Sequence, residues 1–188
     1  MTRIVGGSAK GRHLSVPQRG TRPTSDRARE ALFNTLRAHL DVEGAHVLDL
    51  FAGTGAVGLE ALSRGAASVT FVESDRSASE VIRRNIETVG LPGATVARKP
   101  AATYLVGSGT DVPFDLVFAD PPYAYRDDHL AALLVSLTEP GWLADEAMVV
   151  IERSAKGAAP DWPDGIALVT QRRYGEGLLW YGRAHHGG

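Results

Sequence analysis

Apolar and polar positions change rhythm twice along this chain. Residues 2–6 (TRIVG) and 12–16 (RHLSV) are short β-like runs joined through Ser8–Gly11, which predicts a small hairpin. Gln18–Pro23 reads as a loop. Thr24 or Ser25 can then cap a helix to about Leu40, because Ala28, Leu32, Leu36 and Leu40 recur at every fourth position. From there, apolar runs alternate with helical segments. Strands are expected at 45–50, 68–73, 94–98, 114–119 and 147–152, with helices at 56–64, 77–89, near 101–106 and 128–138. Strands apolar on both faces and separated by helices predict a parallel sheet in a doubly wound α/β fold. At the end, 166–174 and 177–183 flank Gly175-Glu176 and read as an antiparallel hairpin closing the sheet edge.

Composition narrows the class. The chain has 188 residues, 44% of them hydrophobic and 22% charged, which suits one globular body and excludes disorder. No apolar run approaches the roughly 18 residues of a membrane span. The opening MTRIVGGSAKGR has no apolar core or cleavage site of a signal peptide. With no cysteine there is no disulfide, thiolate metal site or cysteine nucleophile. A cytoplasmic protein is expected, with no membrane partner and no resident metal.

The net charge of −2 hides an asymmetry. Residues 1–40 hold eight basic and two acidic residues, and the remainder twelve basic and twenty acidic. A basic arm on an acidic body predicts an anionic partner at one end of the molecule. The expected organisation is a basic extension, 1–40, packed on a catalytic domain, 41–188.

Candidate chemistry lies at two strand ends. The segment Asp49-Leu50-Phe51-Ala52-Gly53-Thr54-Gly55-Ala56-Val57-Gly58 follows the first parallel strand and opens a helix. Gly53, Gly55 and Gly58 fit G-x-G-x-x-G, and Glu73 ends the next strand. In that context a nucleoside lies across the strand ends with its ribose hydroxyls on the acid. A dinucleotide would bring a pyrophosphate against Asp49, which repels it, whereas S-adenosylmethionine brings an ammonium and a sulfonium. The charge favours S-adenosylmethionine over NAD.

The second end is Asp120-Pro121-Pro122-Tyr123, after strand 114–119. Two prolines fix a stiff turn and remove two N–H donors, leaving carbonyls as acceptors. A carboxylate beside a proline carbonyl can grip both hydrogens of an exocyclic amine and free its lone pair for attack on a sulfonium methyl. The amine becomes acidic as it is alkylated, so Asp120 accepts or relays a proton. Most of the rate gain then comes from positioning, and Tyr123 offers a face on which an extruded base can stack.

Together D-L-F-A-G-T-G and D-P-P-Y resemble motifs I and IV of class I amino-methyltransferases. The blocks R-I-V-G-G-S-A-K-G-R (3–12), R-P-T-S-D-R-A-R-E-A-L-F-N (22–34) and W-L-A-D-E-A (142–147) are similar to those of the RsmD family, bacterial 16S rRNA guanine-N2 methyltransferases. The resemblance implies a Rossmann-like class I methyltransferase sheet and S-adenosylmethionine as cofactor. It also implies one guanine of 16S rRNA as substrate, in a partly assembled small ribosomal subunit, and a monomeric enzyme. Asp49, Phe51, Ala52, Gly53 and Gly55 would line the methionine end of the cofactor. Glu73 would hold the ribose, with Thr54 and Ser74 also at the cofactor, and Asp120 to Tyr123 would hold the target amine. One departure concerns the adenine. Where related enzymes often place Asp or Asn, this chain reads Arg98-Lys99-Pro100-Ala101, so recognition falls to the Ala101 backbone.

With nucleic acid as substrate, Arg3, Lys10, Arg12, Arg22, Thr24, Arg27 and Arg29 become candidate RNA contacts. Other readings weighed are a DNA adenine-N6 methyltransferase, an NAD-dependent oxidoreductase and a non-catalytic RNA-binding assembly factor. The first needs more recognition sequence than this length holds. The second leaves Asp49 and D-P-P-Y unexplained. The third would tolerate loss of Asp120. The histidines show no ligand spacing, and Trp142, Trp162 and Trp180 are expected to pack.

Overall fold

The structure is a computed structural model and describes residues 2–17 and 24–186. The expected loop Gln18–Pro23 and the candidate Arg22 lie outside the described residues. The first hairpin pairs β1 (Thr2–Arg3) with β2 (His13–Leu14), and Ile4 N–H to the Arg12 carbonyl extends the pairing. It is shorter than the sequence suggests, because the backbone of Val5 and Gly6 turns away to donate to Glu60.

Helix α1 (Asp26–Leu36) is capped by Ser25, whose hydroxyl accepts from the Ala28 N–H. It ends four residues before Leu40. The chain tightens there, with Ala38 N–H on the Thr35 carbonyl and His39 N–H on Leu36, and turns toward the first central strand.

Then follow β3 (His46–Leu50), α2 (Ala56–Ser63), β4 (Ser68–Val72), α3 (Arg76–Val89), β5 (Ala94–Ala97), α4 (Ala101–Tyr104), β6 (Phe114–Ala119), α5 (Asp127–Leu137), β7 (Leu143–Ser154), β8 (Ile166–Tyr174) and β9 (Gly177–Ala184). Strand β7 starts four residues before the apolar run that predicts it. Its polar stretch bulges: the register with β6 jumps from Phe114–Leu143 to Leu116–Met148, and Glu146 takes a φ of 57°.

Seven strands form one sheet in the order β5-β4-β3-β6-β7-β9-β8, parallel from β5 to β7 and antiparallel over β9 and β8. Alternate residues of each strand face opposite layers. Val47, Phe71, Phe118, Val150 and Tyr181 pack with α1, α2, α3 and the small hairpin. Leu48, Val117, Val149 and Ile151 pack with α4 and α5. The sequence extension is thus continuous with the body: Ile4, Ala9, Leu14, Leu32, Phe33 and Leu36 belong to the same apolar layer as the sheet. Among the described residues, no helix is long and apolar enough to cross a membrane.

Chain order reverses between β3 and β6. From β3 the chain winds outward through β4 to β5, and from β6 it winds the other way. Loops leaving adjacent strand ends at such a point diverge and open a crevice, the expected place for a ligand in a sheet of this kind.

Candidate active site

Two loops meet at that crevice. After β3, Phe51 adopts a φ of 55° and Gly53 and Gly55 adopt 58° and 78°, left-handed values that glycine reaches without a Cβ penalty. A Cβ on Gly53 would meet nothing within 4 Å, so the loop is open on that side. Gly58 has a different reason to be glycine. A Cβ there would stand 2.4 Å from Phe71 Cε1 and 2.7 Å from Val69 Cγ1, so it lets α2 lie close on β4.

The loop's donors are bound within the protein. Gly53 N–H donates to Glu73 Oε2 at 2.8 Å, Gly58 N–H to Asp49 Oδ2 at 3.0 Å and Gly55 N–H to the Ala52 carbonyl at 2.8 Å. Ala52 N–H donates to the Val72 carbonyl. Glu73 is half-buried, and its other oxygen accepts from the Asp75 N–H at 3.0 Å. Each oxygen keeps acceptor capacity for a hydroxyl. Ser74 beside it is exposed.

Thr54 also belongs to the expected cofactor set. It is buried, its hydroxyl accepts from the Ala56 N–H and its carbonyl accepts from Asn85 Nδ2, so its polar groups serve the loop's own fold. Ala101 is buried as the first residue of α4, with Pro100 preceding it.

The second loop leaves β6. Pro121 is buried, whereas Pro122 and Tyr123 are exposed, Tyr123 at 51%. Arg153, at the end of β7 and 7% exposed, holds this turn from behind. Its Nη1 donates to the Pro122 carbonyl at 3.2 Å, and its Nη2 to the Tyr125 carbonyl at 2.7 Å and Asp127 Oδ1 at 2.9 Å. The two loops touch through Phe51 and Tyr125, edge to face with centroids 5.0 Å apart.

Charge is concentrated here. Burial pushes the Asp49 carboxyl up to about 8, opposed by the Gly58 N–H and reinforced by the charge of Glu73. Burial, then the charges of Glu152 and Asp49, raise Asp120 well above the usual carboxylate range, while Arg153 pulls it back. Acids gathered this closely repel one another, and a cationic ligand relieves that repulsion. A pyrophosphate would add to it and would find the N–H groups of Gly53 and Gly58 already bound to carboxylates. The residues present fit S-adenosylmethionine.

The sequence pattern gives no role to Glu152 or Arg153, although 147–152 is a predicted strand and an acid at a parallel strand's carboxyl end is a signal. It also gives none to Glu60, which is fully buried on α2. Glu60 accepts from the Val5 and Gly6 N–H groups at 2.9 and 2.7 Å and pairs with Arg64 at 3.1 Å, which docks the first hairpin on the body.

Among the arm residues, Arg3, Lys10 and Arg27 are exposed. Arg29 is a correction: it is fully buried and cannot reach a phosphate. Its guanidinium donates to the Thr24 carbonyl at 2.9 Å, the Arg3 carbonyl and Asp26 Oδ1, and stands 3.7 Å from Glu60. Arg12 is exposed but donates to the Thr88 and Val89 carbonyls, tying the hairpin to the end of α3. Thr24 donates its hydroxyl to Glu152 Oε2 at 3.5 Å, which places the start of α1 at the crevice.

A doubly wound sheet with these two loops at its switch point defines the class I methyltransferase fold. Residues 2–183 match the family described as Conserved hypothetical protein 95. The chain is 42% identical over 175 residues to Ribosomal RNA small subunit methyltransferase D of Escherichia coli (strain K12), covering 93% of this chain and 85% of that one. It is 37% identical over 177 residues to the Haemophilus influenzae protein of the same name, covering 92% and 89%. Among solved structures, Escherichia coli yhhF superposes with a TM-score of 0.86 at 39% identity, over 97% of each chain. The chain belongs to this family, the RsmD family that its sequence blocks resemble, and S-adenosylmethionine is the family's cofactor.

Proposed function

We propose that this protein transfers a methyl group from S-adenosylmethionine to the exocyclic N2 of a guanine in 16S rRNA, within a partly assembled small ribosomal subunit. The names of the relatives support methylation of small-subunit rRNA. The observation that carries the amine as acceptor is the turn clamped by Arg153. A carbonyl oxygen has two lone pairs. On Pro122 both are engaged, by Arg153 Nη1 and by the Tyr125 N–H at 2.8 Å. The acceptor pair for an –NH₂ group is therefore the Asp120 carboxyl and the Pro121 carbonyl.

When bound, S-adenosylmethionine would supply a methyl group whose bond to the sulfonium sulfur breaks as the nitrogen lone pair bonds to its carbon, with the neutral thioether leaving. Glu73 would accept hydrogen bonds from the ribose hydroxyls, and Asp49 would offer its carboxylate to the cationic end. Asp120 and the Pro121 carbonyl hold the two amine hydrogens, so the lone pair points out of the base plane. Asp120 takes the proton that the alkylated nitrogen releases; its raised affinity for protons suits it to that step. Tyr123 offers its exposed ring to the base. Arg3, Lys10 and Arg27 contact phosphates of the surrounding RNA.

The test is transfer of labelled methyl groups to small-subunit particles from cells lacking the enzyme, to naked rRNA and to DNA, followed by nucleoside analysis. Label in N2-methylguanosine from the particles is expected. Label only in N6-methyladenosine, no label in any of the three substrates, or label in N2-methylguanosine that Asp120→Ala transfers as well as wild type, overturns the reading.

A further inference from the structure

The acids at the crevice include one that the transfer step leaves without a role. Glu152 is the last acid of β7, and the register Ala119–Ile151 places it beside Asp120, one step beyond that pair. Phe118 and Val150, two residues earlier on each strand, face the layer that carries α1, so Asp120 and Glu152 are directed to that side by alternation. There the hydroxyl of Thr24 reaches Glu152 Oε2 at 3.5 Å from the R-P-T-S-D-R block. Glu152 is half-buried, and its charge acts on Asp120.

The crevice therefore brings three acceptors to neighbouring positions, Glu152 across the strands from Asp120 and the Pro121 carbonyl next along the chain. Guanine carries its 2-amino group next to an N1–H, two neighbouring donors on one edge. Adenine carries its 6-amino group next to a bare N1 lone pair. Neighbouring acceptors match the first edge and repel the second. Sites that bury polar groups reject the analogue that leaves them unpaired far more strongly than apolar pockets do.

We infer that Glu152 determines the specificity of the acceptor site, by accepting the N1–H of the guanine whose 2-amino group is held by Asp120 and Pro121. This assignment rests on the guanine-N2 reading above.

The two are tested together with small-subunit particles reconstituted on rRNA that carries guanine or 2,6-diaminopurine at the methylated position. Diaminopurine keeps the 2-amino group but exposes a lone pair at N1. In single-turnover methylation the wild type should prefer guanine by about 10- to 100-fold, the range of one hydrogen bond to a charged group. Glu152→Gln is isosteric, and its amide can accept from N1–H or donate to N1. It should bring the preference to within about threefold, although a purely structural role for Glu152 would slow both substrates alike. A wild-type preference below threefold, or a preference unchanged by Glu152→Gln, overturns the role of Glu152. No transfer by the wild type to the guanine particle overturns instead the reading beneath it.

Discussion

In the glycine loop, backbone N–H groups are bound to carboxylates, Gly53 to Glu73 and Gly58 to Asp49. In the Asp-Pro-Pro-Tyr turn, backbone carbonyls are bound to a guanidinium, Pro122 and Tyr125 to Arg153. The first arrangement leaves acceptors and negative charge facing the crevice from a loop type that elsewhere cradles phosphate. The second fixes a stiff turn from behind, and its remaining acceptors are the ones the proposed function assigns to an amine. One half is built for a cation and the other for donors. Phe51 against Tyr125 keeps the two halves in contact.

The largest effect that sharpens this contrast comes from Arg153. Arg153→Met removes the guanidinium from the Tyr125 carbonyl and one of the two donors from the Pro122 carbonyl, which frees the turn, so kcat should fall about 100-fold through misplacement of the acceptor pair. Urea unfolding should show a loss of about 1–3 kcal/mol. Cofactor affinity, a property of the other half, should hardly change; a parallel loss would break the division.

Asp49 gives the next effect. Its carboxyl is raised to about 8, so the folded protein retains a proton that the unfolded chain loses near 4. Stability is fully present below the unfolded value and declines as pH rises toward about 8. Asp49→Asn should therefore gain melting temperature relative to wild type across that window and hold the gain above it. A cationic cofactor favours the ionised form, so calorimetry at pH 7 should show proton release on binding that Asp49→Asn abolishes.

The smallest effect belongs to the arm. Replacing Arg3, Lys10 or Arg27 with Ala should lower the log–log salt slope of RNA binding by about 0.7 for each phosphate contact removed. Cofactor affinity should stay unchanged.

Much of the cofactor half was legible because it is local. Asp49, the glycines and the helix they open are contiguous, and Glu73 ends the next strand, at its neighbour's edge. Asp120 to Tyr123 were legible for the same reason. Glu152 and Arg153 were not, because their role depends on β7 lying beside β6, a fact of strand order. The arm misled through composition. Arg29 counts as a positive charge in the sequence, yet a fully buried guanidinium bound to the Thr24 and Arg3 carbonyls belongs to the core. Strand β7 was read short because its polar start bulges out of the ladder at Glu146.

The division of labour is tested most directly by measuring two variants in both currencies of the site, calorimetric affinity for S-adenosylmethionine and single-turnover methylation at saturating cofactor. Asp120→Ala should bind the cofactor within about threefold of wild type and lose roughly 100-fold or more in rate, the range of positioned acid–base groups. Glu73→Ala should lose affinity and keep most of its rate once the cofactor saturates. If each variant lost affinity and rate together, the two halves would not act separately and the account would be contradicted.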